Sequence, residues 1–385
     1  MRKFFTLFLY ISRVCTYSQS EDLKTSYKFG LEVAAIQDKQ NQAFHLSMIG
    51  EYEVLLFNWE KAISQPYFNM NTFLSETIHT TPAIPYILDK AKAAEYVILN
   101  EAHHMPGHRV FARQLLKGLW KQGYRNLAIE ALSTDSTYYD KELNTRKYPL
   151  VNSGYYSREP RFGNFIREAL QMGYYVFPYD TGFELGGKER EEYAATTILE
   201  RQQKGKTFVY CGFDHAAEGP SHFWEKALAE QLKQKSGKDP LSIDQTVFNA
   251  SYSKPYEHPK YSDLASDQPV VLINKGQPYV AENEAGGYYD LTVVHPRPTK
   301  IKDRSSWLFA EDVQAVAINT DTIPVQRPYL LMAFSKDEDP NQAVPIDILQ
   351  IDSNNSSPVV HLALPEDEDC VYYAVSRKEG QKKLN

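Results

Sequence analysis

The sequence holds little cysteine: three residues in 385, at positions 15, 211 and 370. So few thiols cannot make a disulfide framework, and with no Cys-x-x-Cys pair there is no thiolate zinc site. Cys211 lies in the apolar run TFVYC, where a buried, inert thiol is expected. The chain also lacks a Gly-x-Ser-x-Gly elbow, a Walker loop, Gly-x-Gly-x-x-Gly after a strand, and His-Glu-x-x-His. Serine-hydrolase, nucleotide-binding and zincin mechanisms are therefore without sequence support. An excess of positive charge is missing as well. With 42 basic against 49 acidic residues, net -7, an electrostatic grip on nucleic acid or anionic lipid is excluded as the main activity. No repeat of solenoid period is visible.

What is present is the composition of a soluble globular chain, 42% hydrophobic and 24% charged, long enough for one core domain and an appendage. The first twenty residues differ. Arg2 and Lys3 precede the apolar run FFTLFLYI, and a polar stretch follows to Ser18 or Ser20. That is the layout of a secretory signal peptide, too short to span a bilayer, so a secreted or periplasmic protein without a stable transmembrane segment is expected. Its removal takes away Arg2, Lys3 and Arg13 and leaves 39 basic against 49 acidic side chains.

Residues 21–94 read as a helical region packing on the core, with residues 46–63 as its best helix. From 95 to about 300, apolar runs of strand length alternate with helix-period stretches. This predicts an α/β domain with a mostly parallel sheet and helices on both faces. In the helix after EYVILN, Pro106 suits the first turn, Phe111, Leu115 and Leu119 repeat at four-residue spacing, and Gly123 suits the C-terminal end. Residues 301–385 carry short β-prone segments separated by turn chemistry such as KDEDPN, and predict a β-rich C-terminal domain.

In open α/β sheets a ligand lies outside the carboxyl ends of the strands. Four runs end there in polar side chains: Glu101, His103 and His104 after VILN, Glu130 after NLAI, Asp180 after VFPY, and Asp214 and His215 after FVYCG. Any one of these acids could equally cap a helix. Together they predict one crevice holding two imidazoles and at least three carboxylates. His103 is the inward candidate, while His104 and His108 are expected to shape the loop or face solvent. Arg109 and Arg113, one helical turn apart, could present cationic forks to an anion or oxyanion, or pair with Glu101 or Glu130. Glu218 could orient His215, or cap the helix expected near Pro220 and Ser221.

The motifs NEAHHMPGHRVFARQLLKGLWKQGYRNLAIEA (100–131) and TFVYCGFDHAAEGP (207–220) resemble the erythromycin-esterase-like and ChaN-like superfamily, related to the TraB and Tiki proteins. The resemblance covers residues 93–245. It matches Glu101 and His103 to the first loop, Glu130 to the next strand end, and Gly212 with His215 to the second Gly-x-x-His, whereas Asn100 stands in place of the motif's first Gly. It implies an ester, lactone or amide hydrolase acting on a small molecule or peptide. His103 or Glu101 would be the general base, Glu130 would orient the base or take a second proton, and His215 would polarise the carbonyl. A metal-dependent variant would hold Zn, Mn or Fe on Glu101, His103, Glu130 and His215. The alternative is a haem or transition-metal binder using the same crevice, with Tyr174, Tyr175, Tyr179 or Tyr210 as aromatic walls or phenolate ligand.

Overall fold

The computed structural model describes residues 26–63, 78–135, 139–181, 185–221, 224–264, 266–280, 288–310, 312–354 and 357–384. The predicted signal segment lies outside them. The elements that position the site are helices α1 (Lys39–Met48) and α2 (Tyr52–Ala62), strand β1 (Ile78–Pro82), α3 (Ala83–Ala91), β2 (Tyr96–Glu101), α4 (Pro106–Lys121), β3 (Tyr124–Ile129), α5 (Pro160–Met172), β4 (Tyr175–Pro178), α6 (Gly187–Arg201), β5 (Lys206–Gly212), α7 (Leu228–Ser236), β6 (Leu241–Phe248), β7 (Val270–Asn274) and β8 (Leu291–Val294).

The strands form one sheet in the order β1-β7-β8-β6-β2-β5-β3-β4, with the short pair Gln277–Pro278 added to β7. From β8 to β4 every neighbouring pair is parallel, and only β7, antiparallel to both β1 and β8, runs against the rest. Alternation along β2 shows why helices cover both faces. Val97 and Leu99 pack with Phe111, Leu115 and Leu119 of α4 and with Phe162 and Ile166 of α5, whereas Tyr96 and Ile98 pack with Ala195 and Ile198 of α6 and Leu232 of α7. The α/β architecture read from the sequence is the one observed. Among the described residues no helix is long and apolar enough to cross a membrane.

The C-terminal residues form separate antiparallel sheets. Strands β9 (Val313–Asn319) and β12 (Val359–Pro365) pair with each other. Strands β10 (Tyr329–Ser335), β11 (Asp347–Ile351), β13 (Cys370–Ser376) and β14 (Gly380–Lys383) form a sheet in the order β11-β10-β13-β14. Leu330, Met332 and Phe334 of β10 share a core with Leu46, Met48 and Leu55 of the N-terminal helices, two segments almost 300 positions apart.

Two helix boundaries differ from the sequence reading. The single helix expected over 46–63 is two, broken at Gly50, whose φ is +79° and where a Cβ would lie 2.7 Å from the Ile348 carbonyl oxygen. Only glycine permits both the left-handed backbone and that approach. The helix expected to open near Pro220 and Ser221 begins at Leu228, after Glu225 at φ +59°. That turn brings the Trp224 ring against His215.

Candidate functional site

Parallel register brings the predicted acids and imidazoles to one edge. Glu101 is paired with Gly212 across β2 and β5, Ile129 with Tyr210 across β5 and β3, and Ile129 with Pro178 across β3 and β4. Glu130 and Asp180, just past their strands, and His215, three residues past Gly212, therefore converge on the carboxyl end of the sheet.

Glu101 is almost wholly enclosed, its side chain 2% exposed, and both its oxygens are spoken for. Arg109 donates Nε to Oε2 at 2.7 Å and Nη2 to Oε1 at 2.8 Å, and the Tyr210 hydroxyl donates to Oε2 at 2.9 Å. Burial pushes the Glu101 carboxyl up, but the Arg109 guanidinium, with a smaller contribution from His103, outweighs it and holds the group at about 2. The third partner of Glu101 is His103 Nδ1, 2.9 Å from Oε1. A carboxylate only accepts, so Nδ1 carries the proton, and in the neutral ring Nε2 is the nitrogen with the lone pair.

That lone pair opens over Gly212. A methyl group on Gly212 would lie 2.5 Å from His103 Nε2, 2.3 Å from His103 Cε1 and 3.2 Å from Glu130 Oε2, so the imidazole and the second carboxylate face each other across a position that has no side chain. The His103 side chain is 15% exposed and that of Glu130 12%, so solvent reaches these two while Glu101, at 2%, is closed off. Tyr156 stacks on the His103 ring at 4.2 Å, and Phe213 meets it edge-on at 5.2 Å. Phe213 sits at φ +38°. Its carbonyl is held by the buried Asn100 amide at 2.9 Å, and Asn100 Oδ1 accepts from Gln245 N on β6. Asn100, the departure from the family motif, thus ties the strained turn to two strands.

Glu130 accepts from the Gly212 amide and, at 3.0 Å, from Arg190 Nη2. Arg190 also forks onto Asp180, with Nε to Oδ1 and Nη2 to Oδ2 both at 2.8 Å. His215 Nε2 lies 3.6 Å from Glu130 Oε1, and its Nδ1 donates to Glu191 Oε2 at 2.8 Å. Leu228 N caps the same Glu191 oxygen at 2.7 Å, and Trp224 stacks on the His215 ring at 4.7 Å. Burial acts to lower the His215 imidazolium, but Glu191 and Glu130 together override it and raise the group to about 9. Glu130 moves the other way, below the usual carboxylate range: burial opposes the shift, and His215, Arg190 and His103 carry it.

This asymmetry has a stability consequence. The folded value of His215 stands above its ordinary 6.5, so its contribution is fully present below about 6.5 and is lost as pH rises through about 9. Its size is on the order of 3 kcal/mol. Chemical denaturation at pH 6 and at pH 9.5 is expected to show a stability gap between the wild type and His215→Gln that closes at the higher pH. A gap independent of pH contradicts the assignment.

Several expectations need correction. Of the two roles expected for His104 and His108, shaping the loop or facing solvent, the second fails, because both are buried. His104 stacks on Trp59 of α2 at 3.6 Å, and burial drives its ring far below the ordinary histidine value. His108 accepts from Ala102 N at 3.1 Å and meets Asn249 Oδ1 at 2.9 Å, so it closes the β2–α4 loop as a neutral ring, pushed by burial to about 4. Arg109 takes the second of its two expected roles and pairs with Glu101; with Glu159 and the His103 carbonyl taking its other donors, it offers no fork to a ligand. Arg113 points elsewhere, to Glu168 at 3.0 Å and the Ala310 carbonyl. Glu218 neither orients His215 nor caps a helix; it accepts from Lys233 and Ser242. Asp214 lies beside the site and accepts from the Tyr289 hydroxyl at 3.3 Å. Sequence reasoning missed Arg190 and Glu191. Their signal was position, since they fall near the start of the helix that follows the strand just before Asp180.

The proposed cofactors do not fit these donors. Glu101 is filled by Arg109 and Tyr210, Glu130 by Arg190 and the Gly212 amide, and His215 Nδ1 by Glu191. Among the described residues no three His, Cys, Asp or Glu side chains are grouped to hold a metal ion. Nor are the tyrosines set up as haem ligands. The hydroxyls of Tyr174, Tyr179 and Tyr210 donate to the Leu116 carbonyl, the Tyr210 carbonyl and Glu101, and burial raises all three. Tyr175 stacks on Phe177 at 5.5 Å.

No family model matches the sequence, and no curated protein matches it. Among solved structures, the chain is similar to RRSP, a MARTX toxin effector domain from Vibrio vulnificus, at 17% identity and a TM-score of 0.28, over 38% of this chain and 34% of that one. It thus spans about a third of that chain. It is similar to the type III effector HopBA1 at 12% identity and a TM-score of 0.34, over 58% of this chain and 100% of that one. It is also similar to ChaN of Campylobacter jejuni, solved with cofacially bound haem, at 9% identity and a TM-score of 0.36, over 57% of this chain and 98% of that one. Likenesses of this size do not assign the chain to a family.

Proposed function

We propose that the protein is a hydrolase of carboxylic esters, lactones or amides, of the erythromycin-esterase-like type that its motifs resemble, and that it works through two histidines without a metal. The observation that carries this reading is the His103 ring: Nδ1 fixed by an ionised Glu101, Nε2 open toward Glu130 across Gly212. In this reading a water held between His103 Nε2 and Glu130 gives its proton to Nε2 as its oxygen attacks the carbonyl carbon. The protonated His215 bonds the developing oxyanion, and its Nε2 proton goes to the leaving oxygen or nitrogen as the carbonyl carbon bond to that atom breaks. Arg190 keeps Glu130 anionic and in place. His103 then loses its proton, and His215 regains one, by exchange with solvent.

Two measurements test this. A panel of nitrophenyl esters, lactones and anilides is expected to be turned over after dialysis against a chelator, with kcat/KM falling above about pH 9 as His215 deprotonates. Turnover of none of them, or activity that disappears on chelation and returns with a divalent metal, contradicts the reading. Export follows from the N-terminal segment. Amino-terminal sequencing of protein recovered from the periplasm or medium is expected to begin near residues 19–21, and an intact Met1 on exported protein contradicts it.

A further inference from the structure

The charge inventory of this crevice goes a step beyond the hydrolytic reading, on which it rests. Five carboxylates meet there: Glu101, Glu130, Glu159, Asp180 and Glu191. Three cations answer them: Arg109, Arg190 and His215. With His103 as the unprotonated base, the site carries a formal charge of about -2. Neither guanidinium is left to grip an incoming anion. Arg109 spends its forks on Glu101, Glu159 and the His103 carbonyl, and Arg190 on Asp180 and Glu130. Recognition of phosphate or carboxylate ordinarily uses such a fork unpaired. The uncharged wall is aromatic: Phe44, Tyr156 and Phe213 around His103, and Trp224 against His215. The Tyr156 and Trp224 faces are turned to the two imidazoles and Arg190 lies over the Trp224 ring at 5.7 Å, so what the wall contributes is the lack of a donor on the ring faces for an anion. The whole chain, at net -7, adds a field of the same sign.

We propose that the substrate carries a cationic group, an ammonium or guanidinium, close to the bond that is cleaved, and that phosphate, sulfate and carboxylate esters are turned away. His215 serves the oxyanion only as it forms, so it does not reverse the preference of the ground state.

The test uses three acetate esters of similar size on the full-length protein: acetylcholine, its neutral isostere 3,3-dimethylbutyl acetate, and acetoxyacetate. The expected order of kcat/KM is cationic, neutral, anionic, with at least a tenfold span from first to last. In parallel, titration calorimetry compares benzyltrimethylammonium with benzoate, and the cation is expected to bind at least tenfold more tightly. In Asp180→Asn, which removes one carboxylate beside Arg190, the binding ratio is expected to narrow. An anionic ester that equals or exceeds the cationic one, or benzoate bound as tightly as the cation, overturns the proposal, as does an unchanged ratio in a folded Asp180→Asn protein. If that variant does not fold, the wild-type pairs decide. If no ester is turned over, the hydrolytic reading fails and binding decides the cation preference alone: a bound cation with unbound benzoate sustains it, and two unbound probes sink it.

Discussion

Replacement of Arg109 by methionine is expected to destabilise the folded protein by about 3–5 kcal/mol, the usual cost of removing one partner from a buried ion pair. The side chain is 1% exposed and lies between Glu101 and Glu159. Its loss leaves two carboxylates inside the protein without their counter-charge, and the His103 carbonyl without its donor. Methionine fills much of the same volume, so the loss reports charge and hydrogen bonds and not a cavity. Lysine is expected to recover only part of it, because one ammonium cannot reproduce a fork spread over two carboxylates and a carbonyl. Urea denaturation of wild type, Arg109→Met and Arg109→Lys checks this, and a methionine variant within 1 kcal/mol of the wild type contradicts the assigned role.

Gly212→Ala is expected to lower kcat/KM by about 100-fold or more, since a misplacement near 1 Å at a reacting group costs that much. The new methyl group would collide with the His103 ring at 2.3–2.5 Å, and that ring is held from its other side by Glu101 and by the stacked Tyr156. The ring must tilt or the strand must shift, and both move Nε2 away from Glu130. Some stability is lost too, on the order of 1–3 kcal/mol, as in other overpacked sites. The comparison that isolates the effect is activity at a temperature where both proteins are fully folded. An alanine variant with wild-type kcat/KM would contradict the dependence of the reaction on where His103 Nε2 stands relative to Glu130.

The sheet edge was legible in the sequence because parallel strands announce themselves as apolar runs, and the side chain after each run must lie at the carboxyl end. Glu101, His103, Glu130, Asp180 and His215 were found that way. What the rule does not give is the partner of each group. Arg109 was left between a fork for a ligand and a partner of Glu101 because its spacing on α4 shows direction but not what lies opposite; it pairs with Glu101, and Glu159, 50 residues on, takes the rest of the fork. Glu191 was hidden for the same reason: it reaches His215 from a different helix, and the nearer acid Glu218 was preferred on spacing alone. His104 and His108 were judged by polarity and not by what would cover them. Trp59 comes from a helix whose packing on the core no local pattern reveals. The break at Gly50 likewise depends on the Ile348 carbonyl, almost 300 residues away.

In the proposed reaction His103 and His215 act on one bound substrate, as proton acceptor and proton donor. A double-mutant cycle on kcat/KM tests it most directly, using His103→Ala, His215→Ala and the double variant against whichever ester the wild type hydrolyses best. Each single change is expected to cost about 10²- to 10⁴-fold. The double variant is expected to fall little below the worse single, as for residues that work as a unit. Losses that simply multiply, or a single variant that keeps wild-type turnover, contradict a shared reaction centre.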